Sequence, residues 1–151
     1  MNKSDVKICW LIPENERDLH LPSYETEGAA GMDVEAGVHE SLSIQPGERV
    51  LVPTGFSVAL QSGYELQVRP RSGLAVKYGL TILNSPGTID ADYRGEVKIA
   101  LINLGQKSHT VKRGDRIAQL VLAPVVRATF TEVTRLDQTG RDTGGFGHTG
   151  D

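Results

Sequence analysis

Leu80-Thr-Ile-Leu-Asn84-Ser-Pro-Gly-Thr-Ile-Asp90-Ala-Asp-Tyr-Arg-Gly95-Glu-Val-Lys-Ile-Ala-Leu-Ile102 places two apolar, strand-like runs on either side of a polar, turn-rich insert. Asn84-Ser-Pro-Gly87 opens the insert and Arg94-Gly95 closes it, both with residues that favour tight turns. Two strands joined through a Gly-rich hairpin follow from this pattern. The insert carries two carboxylates two positions apart, Asp90 and Asp92, and then Tyr93. Polar groups presented on a loop by two strands can meet a ligand; a solvent-facing acidic hairpin is the plainer alternative.

Outward from this hairpin, short strand signals recur at intervals of about ten residues, as in sandwiches and barrels. They are Val6–Ile12, Leu42–Ile44, Arg49–Pro53, Gly55–Leu60, Glu65–Arg69, Thr110–Lys112, Arg116–Pro124 and Thr129–Val133. Gln45-Pro-Gly-Glu48 and Lys112-Arg-Gly-Asp115 are matching turns, each ahead of an apolar run. No extended 3.6-residue periodicity marks a long helix. The predicted fold is all-β, a jelly-roll-like barrel or sandwich in one domain, with one short helix.

Composition narrows the class. The chain has 151 residues, 38% hydrophobic and 23% charged, and a net charge of −3. That is a globular composition, and it argues against a nucleic-acid binder. Aromatics are sparse at 5% and glycines number 17. The lone cysteine, Cys9, permits no internal disulfide and suits a reducing, cytoplasmic compartment. The apolar run from Ile8 to Pro13 is too short for a signal segment or a membrane span.

Two further stretches invite chemistry. Ser72 is positioned to cap a helical turn over Gly73–Tyr78 that stops at Gly79, just after Arg69-Pro-Arg71. A guanidinium beside a hydroxyl and free backbone N–H groups makes an anion site, although an ordinary capped connector has the same residues. The last twelve residues, Gly140-Arg-Asp-Thr-Gly-Gly-Phe-Gly-His-Thr-Gly-Asp151, hold five glycines around Arg141 and Phe146. Such an arm cannot build a core, but it can order over a ligand, with Arg141 on phosphate and Phe146 on a base. His20, His39, His109 and His148 lack metal-ligand spacing and read as surface residues. Arg113-Gly-Asp115 reads as a turn.

Five segments together resemble the five ordered motifs of the trimeric deoxyuridine triphosphatases. They are Ala30-Gly-Met-Asp-Val34, Pro70-Arg-Ser-Gly-Leu-Ala75, Gly87–Gly95 with Asn84 ahead of it, Arg113-Gly-Asp-Arg-Ile-Ala-Gln119, and Arg141–Gly150. The match runs in order across residues 30 to 150. Its departures are mild: Val34 where Leu is usual, and Ala91 between the two aspartates.

The resemblance implies a β domain over residues 1–136, a flexible lid over 137–151, and a homotrimer whose active sites combine motifs from more than one subunit. It implies Mg²⁺-dependent hydrolysis of dUTP to dUMP and pyrophosphate. By position, Asp90 would activate the attacking water. Arg71, Ser72, Gly73, Gln119 and Arg141 would hold phosphates. Asn84, Gly87, Thr88 and Ile89 would line the uracil, Tyr93 the deoxyribose, and Phe146 would stack on the base. Asp33 would stand near the metal through a water, with the triphosphate as main ligand, and Asp92 would hold the hairpin. A dCTP deaminase of the same architecture is the nearest alternative, and a nucleotide-sensing binding protein is a third. The intact Phe146 arm and the Asp90–Tyr93 hairpin favour hydrolysis.

Overall fold

The computed structural model describes residues 4–147. The first three residues and His148–Asp151, which include the end of the fifth segment and the fourth histidine, lie outside the described residues.

Ten strands are described: β1 (Lys7–Trp10), β2 (Met32–Glu35), β3 (Leu42–Ile44), β4 (Arg49–Ala59), β5 (Tyr64–Arg69), β6 (Leu80–Ile82), β7 (Gly87–Ile89), β8 (Glu96–Asn103), β9 (His109–Val111) and β10 (Arg116–Pro124). One helix, α1 (Ser72–Tyr78), joins β5 to β6. The strands form two antiparallel four-stranded sheets, β1-β4-β8-β6 and β2-β10-β5-β7, and a β3-β9 ribbon. The expected mostly-β, jelly-roll-type sandwich with a single short helix is present.

Strict alternation places the core. In β8, Val97, Ile99, Leu101 and Asn103 point inward while Lys98 is exposed. Ile44, Val52, Phe56, Leu66, Leu80, Val111 and Leu120 meet them from the other strands in one apolar cluster. Asn103 is the polar member of this layer, and its amide is fully used. Nδ2 donates to the carbonyls of Ile44 and Lys107, and Oδ1 accepts from the Gly105 N–H. A buried amide is tolerated only when satisfied in this way.

The two matching turns have one construction. The Glu48 N–H donates to the Gln45 carbonyl, and the Gln45 N–H donates back to the Glu48 carboxylate. Asp115 and Lys112 repeat the pair of bonds. Gly47 and Gly114 supply the left-handed backbone, at φ 79° and 84°.

Several strand expectations are corrected. Arg49–Pro53 and Gly55–Leu60 are one strand, because a bulge between Pro53 and Ser57 absorbs the proline and the left-handed Gly55. β2 and β7 are strands so short that their sequence reads as loop. β7 also changes the hairpin. β6 and β8 do pair, with Ile82 opposite Leu101, but the insert crosses to the other sheet and lays Gly87–Ile89 along β5. Thr129–Val133 is not a strand. It pairs with no strand among the described residues, and Val126, Phe130, Val133 and Leu136 lie exposed. Ser72 does not cap the helix: Arg71 occupies the N-cap position without a side-chain bond, and Ser72 is the first helical residue. Gly79 ends the helix in the left-handed conformation as expected. His109 is half-buried against Tyr78, ring centroids 4.8 Å apart, so it is not a free surface histidine.

Arg113 ties the segment before β2 to the body. Its Nε and Nη2 grip Asp18 at 2.8–3.0 Å, and its Nη1 donates to the carbonyls of Gly37 and Val38. The hydrogen bond from Arg113 holds the Asp18 carboxyl below the usual carboxylate value. A lowered folded-state value stabilises the fold above the unfolded value, and that gain disappears as pH falls through the folded one. Wild type is therefore expected to melt slightly above Asp18→Asn at about pH 6, with the difference closing toward about pH 3. The exposure of Asp18 keeps the effect small. A melting difference that persists unchanged in acid would contradict this linkage.

A candidate active site in two halves

One half surrounds Asp33. β2 and β5 both pair with β10, so Asp33, Gln119 and Arg69 fall level across three strands. Asp33 is buried, at 6% exposure. Its Oδ1 accepts from Gln119 Nε2 at 3.0 Å and lies 3.4 Å from Arg71 Nε, and its Oδ2 accepts from Arg116 Nη1 at 3.2 Å. Arg71 is fixed a second time by Nη1 donating to the Arg116 carbonyl. Gly31 leaves room for this cluster, since a Cβ there would sit 3.2 Å from the Gln119 side chain. Ser72 and Gly73 follow at the exposed start of α1. Two guanidiniums and an amide held by one buried carboxylate, with the exposed Ser72 next in the chain to Arg71, make a candidate anion cradle.

The second half is the insert. Gly87 pairs with Val68 and Ile89 with Leu66. Gly87 and Ile89 are buried while Thr88 and Asp90 are exposed. Asn84 lies beside Gly87: a Cβ on Gly87 would meet its Nδ2 at 3.3 Å. The Tyr93 ring folds over Gly95, where any Cβ would run into its hydroxyl, and that hydroxyl donates to the Glu96 carbonyl. Arg94 Nη1 donates to the carbonyls of Ala91 and Tyr93. The expectation that Asp92 holds the hairpin is corrected. Among the described residues the Asp92 side chain makes no hydrogen bond, and the turn is held instead by Arg94 and by the Tyr93 N–H, which donates to the Asp90 carbonyl. Asp90 borders a cleft of about 880 Å³ together with Tyr64, Glu65 and Arg127.

Ser85 and Pro86 at the start of the insert share a cleft of about 520 Å³ with Arg69, Pro70 and Gln119, but Asp90 does not reach the cradle within one chain. One step beyond the Ile89–Leu66 pair, Asp90 falls level with Glu65, four residues along β5 from Arg69. At about 3.3 Å per residue and about 4.8 Å between strands, Asp90 lies roughly 16 Å from Gln119 and roughly 19 Å from Asp33. The described part of the arm, residues 137–147, makes no hydrogen bond to either half. Its described hydrogen bonds are internal, with Arg141 Nε donating to the Gly144 carbonyl, and Phe146 is fully exposed.

Comparison with known proteins decides the family. The dUTPase family model matches residues 17–150. The deoxyuridine 5'-triphosphate nucleotidohydrolase of Desulfotalea psychrophila is 61% identical over 145 residues, covering 96% of this chain and 97% of the relative. That of Fusobacterium nucleatum is 51% identical and covers 99% of each. This chain belongs to the dUTPase family. Among solved structures, a mutant of the phage 80alpha dUTPase superposes with a TM-score of 0.82 at 24% identity, covering 95% of this chain and 98% of the other. A dUTPase mutant from phage phi11 of S. aureus, at TM-score 0.74 and 23% identity, coordinates a structural Mg(II) ion; the match covers 87% of this chain and 97% of that one. These likenesses bear out the fold.

The described residues do not build a metal cage. Both oxygens of Asp33 are engaged by donors, and no three His, Cys, Asp or Glu side chains converge as ligands among the described residues. The donor set fits a hard cation that arrives on phosphates and keeps its waters. Sequence reading overlooked Arg116 and Glu25, whose side chains join the cradle at 3.2 Å and 3.4 Å. One available signal was Ile117-Ala118, two successive buried residues that break the alternation of β10.

Proposed function

We propose that this chain hydrolyses dUTP to dUMP and pyrophosphate, as a cytoplasmic homotrimer in which each site joins the insert of one chain to the cradle of another. The observation that carries this reading is the separation of Asp90 from a well-formed cradle. Attack at the α-phosphorus needs the water-activating group and the phosphate donors within a few Å of one atom. Roughly 16–19 Å apart, Asp90 and the cradle cannot serve the same phosphate from one chain. Closed rotational symmetry solves this with a single interface type. The exposed apolar stretch Val126, Phe130, Val133 and Leu136 supports the same reading, since a β-prone segment without an edge can find one on a neighbouring copy.

In the assembled site Asp90, exposed and free of ion pairs among the described residues, orients a water and takes its proton as the oxygen attacks. Ser72, the Gly73 N–H, Gln119 and Arg71 receive phosphate oxygens, and Arg141 closes on the outer phosphates. Asn84 and the backbone of Gly87, Thr88 and Ile89 read the uracil edge. The Tyr93 ring, pinned by Glu96, lies against the sugar and leaves no room for a 2′-hydroxyl. Phe146 stacks on the base when residues 137–151 fold over the site. A Mg²⁺ ion carried by the triphosphate would supply charge neutralisation for the departing pyrophosphate, and Asp33, which holds Arg71 and Gln119 in place, would be the carboxylate nearest to it.

Phosphorus NMR with dUTP, dTTP, dCTP and UTP tests this directly. The expected result is pyrophosphate from dUTP and far slower turnover of the other three, because a narrow polar site rejects misfits by leaving groups unpaired. Equal turnover of dTTP would overturn the reading, and ammonia release from dCTP would replace it.

A further inference from the structure

The cradle holds a second guanidinium that the roles above do not use. A bulge between Arg116 and Ala118 turns Ile117 and Ala118 both inward, which leaves Arg116 on the same outer face as Gln119. Arg116 spends a single nitrogen, Nη1, on two carboxylates. Asp33 Oδ2 lies at 3.2 Å and Glu25 Oε1 at 3.4 Å. Its Nη2 and Nε make no hydrogen bond among the described residues, so three N–H donors are unspent.

The two carboxylates differ in kind. Asp33 is buried, lies in β2, and is also bound by Arg71 and Gln119. Glu25 is 57% exposed and lies in an irregular loop, tied near its start by the Asp33 N–H donating to the Ser23 carbonyl. Asp33 is thus a fixed partner of Arg116 and Glu25 an exchangeable one. With Glu25 in place the charges of Arg71, Arg116, Asp33 and Glu25 sum to zero, and with Glu25 withdrawn the cradle carries a net positive charge toward an arriving polyphosphate.

We infer that Arg116 is a triphosphate-binding residue and that Glu25 is its resting counter-ion, displaced when phosphate oxygens arrive. The identity of the substrate rests on the dUTP reading above; the anion site itself does not. Glu25 lowers affinity for polyphosphate in general, so it weakens retention of the pyrophosphate product as well as binding of the triphosphate. The loop from Ser23 to Gly31 is thereby coupled to occupancy of the cradle.

Isothermal titration of inorganic pyrophosphate and tripolyphosphate into the full chain, with dUTP turnover measured in parallel, tests this. Arg116→Gln is expected to weaken pyrophosphate binding about tenfold or more, with Arg116→Lys recovering part of the loss. Glu25→Gln is expected to tighten it about threefold at low salt, and to have no effect when Arg116 is already Gln. Unchanged affinity in both single variants would overturn the inference, as would an equal gain from Glu25→Gln in the Arg116→Gln background. If Arg116→Gln does not fold, Glu25→Gln still decides, since it alters only an exposed side chain. Wild type that binds pyrophosphate with these dependences but leaves dUTP intact would sink the dUTP reading and spare this one.

Discussion

Replacing Asp90 by Asn is expected to lower kcat by about 10²–10⁴-fold, the usual contribution of a positioned general base, while a non-hydrolysable dUTP analogue still binds. Asp90 follows β7 directly and is exposed, and the register of that strand is set by its two buried residues, Gly87 and Ile89. The amide is nearly isosteric, so the hairpin should be unchanged and only proton acceptance lost. The same variant tests the divided site. Asp90→Asn and Ser72→Ala chains should each be nearly inactive alone. Refolded together in equal amounts, they should regain activity, because some sites then combine an intact insert with an intact cradle. In a trimer with one insert–cradle pair per site, random mixing makes about one site in four intact. No recovery on mixing would mean that one chain supplies both halves.

Truncation after Gly140 should remove most of the activity and leave the fold and assembly in place. The body ends its hydrogen bonding at Val125, whose N–H donates to the Gly63 carbonyl, and none of the core residues lies beyond Leu120. Arg141 and Phe146 contribute nothing to that core, so their loss is a loss of closure. An arm that orders only over substrate adds charge to the phosphates and excludes water when it closes. The expected signature is a large fall in kcat/KM with unchanged circular dichroism, melting temperature and sedimentation. An undiminished rate in the truncated chain would remove the lid from the mechanism.

Much of this site is legible along the chain because its parts are local. The Asn84–Gly95 insert holds its own turn residues, its carboxylate and its aromatic within twelve positions, so spacing alone exposes it. Arg71, Ser72 and Gly73 are consecutive for the same reason. The arm announces itself by its glycines. Burial patterns were also readable wherever a strand alternates without interruption, as β8 does.

What spacing could not show is which of these local pieces face one another. Asp33 and Gln119 are 86 positions apart and meet because β2 and β10 share a register. That pairing sets the carboxylate expected near a metal in the grip of Arg71, Arg116 and Gln119. The bulge in β10 brought Arg116 into the cradle, and a bulge in β4 carried one strand through a proline that reads as its end. Each is a consequence of pairing between distant segments, where one extra residue redirects a side chain at little local cost.

The sequence by itself determined the class of fold, the family, and the chemical inventory of the site, because turns, alternation and ordered motifs are properties of neighbouring residues. The tertiary structure alone decided that Asp90 stands apart from the cradle. β7 pairs with β5 so that Asp90 comes level with Glu65, while Gln119 comes level with Arg69 at the other end of the same strand. Strand register is a long-range choice made by burial on both faces of a sheet, and it places Asp90 four residues along β5 from the level of Gln119.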